Sequence, residues 1–422
     1  MNRREFAWSL YDWANSAFPT VVTTFVIATW FAQAVAPDPV AGQTMWGWMQ
    51  TAAGLAIALL SPVLGAVADA GGRRRLMLGL CTVATAACTA AIWFARPEAS
   101  SAIYVLACVG LATVFFEVGT VFYNAMLPEV ASPARIGRVS GLAWGLGYAG
   151  GLTCLVLCLF GLIRPDPPPF GLDKTQGETI RAAAVLVGAW MLLFGWPVLV
   201  ALRDPPGVKP GWREAARAGL AELRGVLRGL TGRPDMLRFL LARLFYTDGL
   251  NTLFAFGAIF AAGVHGLGFQ EVLLFGIAMN VSAGIGAALG GLVEDRVGSR
   301  RMVLASLAAL VAIGLALVVV EGAALFWGLA LVLGLFFGPA QAASRTLMAR
   351  LAPEGEMAAH FGLFALSGRI TGFLGPAVLA AVTQWSGSQR LGMATTAGFM
   401  ALGAVLLLGV RERPGGNGVT TP

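Results

Sequence analysis

Polar side chains interrupt several long apolar stretches of this sequence, and each of them could bind a ligand or carry a proton. Glu117 and Arg369 lie near the middle of two such stretches, 102–127 and 359–384. Ionisable groups at membrane depth are costly, so they are candidates for function by default. A carboxyl group can take up and release a proton, whereas a guanidinium stays charged and presents a planar fork of donors that fits a carboxylate.

Glu117 and Arg369 support a mechanistic hypothesis. A substrate carboxylate would compete with Glu117 for Arg369, and protonation of Glu117 would release the arginine. Asn124 extends the polar face of Glu117 about two turns further along the same predicted helix. The alternative is a permanent structural ion pair between Glu117 and Arg369, and the sequence leaves both interpretations open.

A second kind of polar cluster occurs twice. The two sets are Asp12, Asn15 and Ser16, and Asp248, Asn251 and Thr252. Residues three or four positions apart lie on the same side of a helix, so each set forms a small polar group. We interpret both sets as parts of an inner gate or of helix packing, in preference to direct substrate contact.

Gln341 shares a predicted helix face with Arg345 and is a candidate for lining a central cavity. Arg243 and Arg345 fall within about two turns of a predicted helix end. Long basic side chains near a helix end can extend to the membrane surface, and both arginines are placed so that they can.

Acidic and basic residues meet in two short connections, where Asp69 precedes Arg73 and Asp295 precedes Arg296. A carboxylate near a helix N-terminus and a group of arginines can hold one conformation until substrate arrives. We therefore predict a conformational latch at both places. The alternative is that these connections are simply basic, as inner loops generally are.

Composition identifies the environment of these groups. Of the 422 residues, 57% are hydrophobic and 12% are charged, against roughly a quarter charged in ordinary soluble domains. This excludes a cytosolic enzyme, a disordered chain and a secreted disulfide scaffold, and indicates a protein with many membrane helices. The sequence has no phosphate-binding P-loop and only two histidines. We therefore expect no catalytic site, no metal, no cofactor and no ATP hydrolysis.

Apolar runs bounded by Gly, Pro and charged residues predict twelve membrane-spanning helices. The predicted spans are 9–35, 46–69, 76–95, 102–127, 138–162, 182–202, 237–262, 270–293, 302–320, 323–347, 359–384 and 390–411. Arginine and lysine concentrate in the tails and in the even-numbered connections. This distribution explains the net charge of +7 without nucleic-acid binding and predicts that both termini are cytoplasmic.

A long connection separates two sets of six predicted helices. We predict an N-terminal bundle over 1–202, a cytoplasmic linker over 203–236, and a C-terminal bundle with a short tail over 237–422. Arginines and leucines recur in the linker with helical spacing. We expect this segment to form an amphipathic helix on the inner membrane surface.

The two sets of helices are related by an internal repeat of three motifs in the same order. Asp12-x-x-Asn15-Ser16-x-Phe18 is matched by Asp248-x-x-Asn251-Thr252-x-Phe254, Gly65-x-x-x-Asp69 by Gly291-x-x-x-Asp295, and Leu127-Pro128-Glu129 by Ala352-Pro353-Glu354. The nearly constant spacing indicates a duplicated six-helix unit in one orientation. The predicted fold is therefore an all-α membrane protein of two six-helix bundles. Its glycine–aspartate–arginine loops resemble those of the major facilitator superfamily.

Four further segments resemble one branch of that superfamily. They are Trp8-Ser-Leu-Tyr-Asp-Trp-Ala-Asn-Ser16, Tyr123-Asn-Ala-Met-Leu-Pro128, Tyr246-Thr-Asp-Gly249 and Gly338-Pro-Ala-Gln-Ala-Ala-Ser-Arg345. The branch is the vacuole effluxer family of fungal vacuolar amino-acid exporters and their bacterial relatives. The resemblance implies export or exchange of small metabolites, with amino acids the best-known substrates. The antiporter pattern of helix 5 is incomplete, because no Gly-Pro precedes Gly150-Gly151, so drug–proton antiport is not supported.

Together these features predict a monomeric secondary transporter of the bacterial inner membrane that works by alternating access. Its expected partners are membrane lipids, a small carboxylate-bearing metabolite and, if transport is coupled, protons. A first alternative is a carrier for sugars or lipophilic drugs, in which Glu117 and Arg369 are paired and indifferent to substrate. A second alternative is a non-transporting receptor or scaffold, which would need soluble partner-binding segments.

Overall fold

The computed structural model describes residues 3–71, 74–130, 136–202, 214, 217, 232–351, 364, 367, 368 and 371–411. These residues form twelve membrane helices. They are α1 (Arg3–Val35), α2 (Pro39–Gly71), α3 (Arg74–Phe94), α4 (Ala102–Ala125), α5 (Ile136–Leu157), α6 (Glu178–Ala201), α7 (Pro234–His265), α8 (Phe269–Val297), α9 (Ser299–Val319), α10 (Ala323–Leu351), α11 (Leu374–Ser386) and α12 (Gln389–Leu408). The helices lie in the predicted order and most extend a few residues beyond the predicted spans, while the first part of the span 359–384 lies partly outside the described residues. Most of the predicted linker lies outside the described residues, so its boundaries stay a prediction.

Length and composition explain why these segments are helical. Within the described residues, ten helical segments are long and apolar enough to cross a membrane. In lipid, a single segment can satisfy all its backbone groups only as a helix. Local signals set several ends: α7 begins at Pro234, whose missing N–H is not needed in a first turn. It ends before Gly266, which has a φ of 65° and so favours glycine.

α1 is helical throughout but irregular after its first third. The chain turns at Ser16, and the stretches Phe18–Phe25 and Phe31–Val35 are wound as π-helix. Pro19 lies at the start of the first stretch and lacks the N–H that would continue the α-helical ladder. Insertions of this kind are frequent at functional sites, and Asp12 lies one turn before it.

α11 is shorter than its predicted span. A helical turn at residues 371–373 precedes the helix, which begins at Leu374 and runs to Ser386. Pro376 stands in the first turn of the helix, the only part of a helix that tolerates proline without a broken hydrogen bond. The helix therefore starts deep in the bundle and not at its end.

The same helix pairs recur in both halves of the molecule. α1 packs on α6 as α7 packs on α12, α2 on α4 as α8 on α10, and α3 on α4 as α9 on α10. The pair α3 and α6 is likewise repeated by α9 and α12. The fold is thus two six-helix bundles related by a parallel repeat, which confirms the predicted fold class.

The two halves meet where α2 packs on α11 and α5 packs on α8. We call the end of the bundle that holds Arg3 the termini end, and the end where α1 joins α2 the loop end. Because α2 begins and α11 finishes at the loop end, this pair brings the halves together there.

Buried hydrogen bonds join the halves at the loop end. Gln43 Nε2 donates to Thr383 Oγ1 at 2.8 Å, and Gln389 Nε2 donates to the Pro39 carbonyl oxygen at 2.8 Å. The side chains of Gln43, Thr383 and Gln389 are all buried. A Cβ at Gly392 would overlap Thr383 Oγ1, so glycine provides the room. We call Pro39, Gln43, Thr383 and Gln389 the loop-end seam.

Candidate functional site

Asp12 lies on the face of α1 that packs against α5. A Cβ added to Gly147 of α5 would lie 2.7 Å from Ser16 Oγ and 3.6 Å from Asp12 Cβ. A Cβ at Gly150 would overlap the Trp13 carbonyl oxygen. Small residues let membrane helices approach closely, and here they bring the backbone of α5 against the polar face of α1.

Tyr123 of α4 completes one side of this site. Its ring stacks on Trp8 with centroids 4.3 Å apart, and Trp8 Nε1 donates to the Tyr123 carbonyl oxygen at 3.0 Å. The Tyr123 hydroxyl donates to the Trp8 carbonyl oxygen at 3.1 Å and lies near the Asp12 carboxylate. This framework fixes the phenol next to the carboxylate.

Arg345 reaches the same place from the other half of the molecule. Its guanidinium is close enough to interact electrostatically with the Asp12 carboxylate and with Tyr148 of α5. We call Asp12, Tyr123, Tyr148 and Arg345 the interhalf cluster. It combines an acid, a fixed cation and two phenols, which can hold a ligand that carries a carboxylate and hydrogen-bonding groups.

Arg345 is half-buried, so its extension to the membrane surface stays a prediction. For Arg243 that expectation is wrong, because its side chain is buried. Arg243 Nη1 donates to the Phe364 carbonyl oxygen at 2.5 Å and to Ser367 Oγ at 2.8 Å, and its guanidinium lies 3.5 Å from the Phe364 ring centroid. These carbonyl and hydroxyl acceptors in the interrupted segment before α11 attract the guanidinium inward.

Asp248, the repeat counterpart of Asp12, has different surroundings. It is buried in α7, and Gly375 N at the start of α11 donates to its Oδ2 at 2.9 Å. A Cβ at Gly375 would lie 2.8 Å from Asp248 Oδ1 and would overlap Thr252 Oγ1. The sequence interpretation of Asp248 as a packing residue therefore agrees with its contact with α11.

The other predicted site residues are dispersed over four helices. Glu117 is half-buried and Asn124 exposed on α4, while Gln341 is half-buried on α10. Asn15 is buried on α1, and Asn251 is exposed on α7. Arg369 lies outside the described residues, so its pairing with Glu117 stays a prediction.

The predicted latches also stay a prediction. Arg73 lies outside the described residues, as do the side chains of Asp69 and Asp295, and Arg296 is exposed at the end of α8. Nearby polar contacts are present in both halves. Arg74 forms an ion pair with Glu129 at 2.5 Å, and Ser299 Oγ donates to Glu294 Oε1 at 2.6 Å.

Tyr123 and Tyr148 are the functional candidates that sequence reasoning missed. Tyr123 stands in a segment that carries the family resemblance, next to Asn124, and that position was the available signal. No spacing in the sequence connects either tyrosine to Arg345. Their meeting depends on how the two halves pack.

Comparison with known proteins identifies the family. A family model described as "Vacuole effluxer Atg22 like" matches residues 49–138 and 132–417, which is most of the chain. The chain belongs to the Atg22-like vacuole effluxer family. The resemblance noted in the sequence is thereby confirmed, and the protein is a transporter and not an enzyme.

Relatives of this Atg22-like chain occur in bacteria and fungi. The MFS-type transporter YxiO of Bacillus subtilis is 24% identical over 413 residues, covering 97% of this chain and 95% of YxiO. Autophagy-related protein 22 of Cryptococcus neoformans is 27% identical over 280 residues, covering 60% of this chain. The match spans 49% of that fungal protein, so this chain covers about half of its fungal relatives.

Solved structures show the same fold. A bacterial homologue of the human lysosomal transporter Spinster aligns with a TM-score of 0.72 at 18% identity, covering 98% of both chains. A D-xylose–proton symporter aligns with a TM-score of 0.70 at 13% identity, again covering 98% of both. The Atg22-like chain is therefore a multi-pass membrane protein with the major facilitator fold, and it functions as a secondary transporter of small molecules.

Proposed function

We propose that this Atg22-like transporter exports or exchanges amino acids or related carboxylates, and that Arg345 binds the substrate carboxylate in competition with Asp12. The observation that carries the proposal is the approach of Arg345, from the C-terminal half, to Asp12 of the N-terminal half. A guanidinium stays charged in every state, and its planar fork of donors fits a carboxylate. A substrate carboxylate can replace Asp12 at that place.

This exchange would link binding to conformational change. Asp12 and Arg345 belong to different halves, so their attraction joins the halves toward the termini end. A substrate that takes over Arg345 removes that connection, while the loop-end seam still holds the opposite end. Alternating access needs such connections to form and break in turn, since a ligand shifts an equilibrium only by its differential contacts with two states.

The charge distribution and the family support the proposed direction of transport. Basic residues in the tails and even-numbered connections favour cytoplasmic termini in a bacterial inner membrane. The family is one of vacuole effluxers, which supports outward movement or exchange of the substrate. Amino acids are favoured because the family resemblance implies them and because they carry the carboxylate that Arg345 would bind.

Substrate counterflow in proteoliposomes tests this proposal. Purified protein would be reconstituted and screened with radiolabelled amino acids, organic acids and sugars. We expect counterflow with carboxylate-bearing compounds and a fall in apparent affinity of about 30-fold in Arg345→Ala, equivalent to about 2 kcal/mol for truncation of a buried charged contact. Arg345→Lys should recover part of the affinity because it keeps the charge without the planar fork.

Arg350→Ala is the matched control, because Arg350 is exposed on the same helix. It should leave the apparent affinity unchanged. Counterflow of neutral sugars or lipophilic compounds with full activity in Arg345→Ala would favour a carrier in which the cluster is purely structural. An absence of flux with every compound, in protein that melts cooperatively, would favour a receptor or scaffold.

A further inference from the structure

Two buried oxygen atoms of α7 converge beside the first turn of α11. Asp248 Oδ1 and Thr252 Oγ1 both lie within 2.8 Å of the position that a Cβ on Gly375 would take. Asp248 is 3% exposed and Thr252 is 2% exposed. Glycine at 375 leaves this place without a side chain, so both oxygens lie close to the backbone of the first turn of α11.

Neither of these oxygens has a hydrogen-bond partner among the described residues. Many membrane-helix threonines donate to the carbonyl oxygen four residues earlier, as Thr82 and Thr113 do at 2.8 Å. Thr252 makes no such bond, a property it shares with Thr29, Thr44, Thr89 and Thr247. What distinguishes Thr252 is that its hydroxyl lies against Gly375 together with an unpaired carboxylate oxygen. Buried polar atoms are rarely left unsatisfied, so an unpaired group of this kind requires an explanation.

The charge of Asp248 is also uncompensated in the described part of the chain. The titratable residues of α7 itself and of the helices packed on it include Arg243, Tyr246, Glu294, Arg345 and Arg390. Among the described residues, no basic side chain forms an ion pair with the Asp248 carboxylate within 4 Å. The described part of α11 has no titratable residue, and Arg369 lies outside the described residues. One backbone N–H donor is a small compensation for an ionised carboxylate within a membrane.

We propose that Asp248 and Thr252, beside Gly375, form a binding site for one monovalent cation, either a proton or a sodium ion. A proton on Oδ1 would be donated to Thr252 Oγ1 and would neutralise the carboxylate. A sodium ion would take both oxygens as ligands, which suits a hard cation. In either case the unpaired oxygens and the uncompensated charge are satisfied by the same ligand.

The position of the site would couple the cation to the movement of the halves. α11 begins at the Asp248 site and carries Thr383 of the loop-end seam further along. Interrupted membrane helices are where secondary transporters place substrate and coupling ions. Loss of the cation would loosen the first turn of α11 and so favour release of the seam. This role as coupling ion rests on the proposed transport function, whereas the binding of the cation does not.

Thermal melting of the purified full-length protein tests the site without any substrate. A ligand that binds only the folded state raises the apparent melting temperature by mass action. For sodium, the probe is sodium chloride against choline chloride at equal ionic strength. For the proton, the probe is a series of buffers without sodium from about pH 8 to about pH 5. A bound proton raises the melting temperature as the pH falls, and a bound sodium ion raises it at the higher pH.

The variants are Asp248→Asn and Thr252→Val, with Glu321→Gln as the control for loss of an exposed carboxylate and Thr113→Val as the control for loss of a threonine hydroxyl. We expect a cation-dependent rise of at least about 2 °C in the wild type. It should be absent in Asp248→Asn, reduced in Thr252→Val and kept in both controls. If Asp248→Asn does not fold, Gly375→Ala replaces it, because its methyl group would occupy the site. Gly257→Ala is the control for that change, since no atom lies within 4 Å of its Cβ position.

Two outcomes would overturn the proposal. One is a wild-type protein whose melting responds to neither sodium nor pH. The other is a response that persists undiminished in both Asp248→Asn and Thr252→Val. Because no substrate is present, a failure of counterflow in the Arg345 experiment would not affect this result, and a failure here would leave the carboxylate proposal intact.

Discussion

Asp12 and Asp248 begin the same repeated motif and lie against the same helix of their respective halves, yet their partners differ. Asp12 is half-buried and faces Arg345 of the opposite half. Asp248 is buried and holds the first turn of α11 in its own half through Gly375. Of the two duplicated acids, Asp12 thus lies at the interface between the halves. Asp248 lies at a contact between two helices of the same half. Equivalent residues of a repeat can therefore have different roles: one can connect the two halves, and the other can hold two helices of one half together.

The largest effect on stability is expected at Gly150, where α5 packs closely against the polar face of α1. Gly150→Ala would place a methyl group against the backbone of Trp13, overlapping its carbonyl oxygen and 2.8 Å from its Cα. Backbone cannot rearrange as a flexible side chain does, so we expect a loss of about 3 kcal/mol. The measurement is the apparent melting temperature followed by tryptophan fluorescence.

Gly145→Ala is the control for that substitution, because no atom lies within 4 Å of its Cβ position on the same helix. It should melt like the wild type. Equal melting of the Gly150→Ala and Gly145→Ala proteins would show that Asp12 does not depend on this close approach, and the comparison of the two acids would lose its structural basis.

The two acids should differ in their contribution to stability. Asp248→Ala removes the acceptor of the buried Gly375 N–H and should lower the free energy of unfolding by about 2 kcal/mol. Asp12→Ala should cost less than about 1 kcal/mol, because the Tyr123 hydroxyl keeps the Trp8 carbonyl oxygen as its acceptor at 3.1 Å. Both values come from denaturant titration in detergent.

Asp248→Asn sharpens this test, since an amide oxygen can still accept from Gly375 N. We expect it to recover most of the stability that Asp248→Ala loses. If Asp12→Ala lowers the free energy of unfolding more than Asp248→Ala does, then Asp248 is not the acid that holds its half together.

The smallest of the expected effects concerns the loop-end seam, which lies at the opposite end of the bundle from the interhalf cluster. Gln43→Leu removes two buried hydrogen bonds between the halves, one of 2.8 Å to Thr383 Oγ1 and a weaker one of 3.4 Å to the Gln389 carbonyl oxygen, a change of about 1 kcal/mol. The fraction of molecules in which the halves are separated at the loop end should then rise about fivefold. Spin labels on Asp38→Cys and Trp385→Cys, in a protein without its native cysteines, would report this as a longer distance.

Trp48→Phe provides the comparison for Gln43→Leu. It removes a hydrogen bond of 3.2 Å from Trp48 to Gln384 that also joins the halves, but this bond is exposed. Water replaces the lost partner there, so the distance distribution should hardly change. If both variants behave alike, burial does not give the seam its strength.

Much of the fold could be predicted from the sequence. The apolar runs predicted the helices, and the repeat of the motifs at Asp12 and Asp248 predicted two equivalent halves. These features depend on local composition and on order along the chain, which packing does not alter. The interruption before Leu374 was missed, because glycine and proline near it are also compatible with a continuous kinked helix.

What the sequence determined by itself is which residues are helical, which half they belong to and which polar groups enter the membrane. The tertiary structure decided their partners. Arg243 turns inward to Phe364 although it was placed to extend to the surface, and Arg345 lies near Asp12 of the other half. The physical reason is that helical periodicity sets the direction of a side chain only within its own helix. Which acceptor it meets depends on the rotation and approach of other helices, and small residues such as Gly375 control that approach.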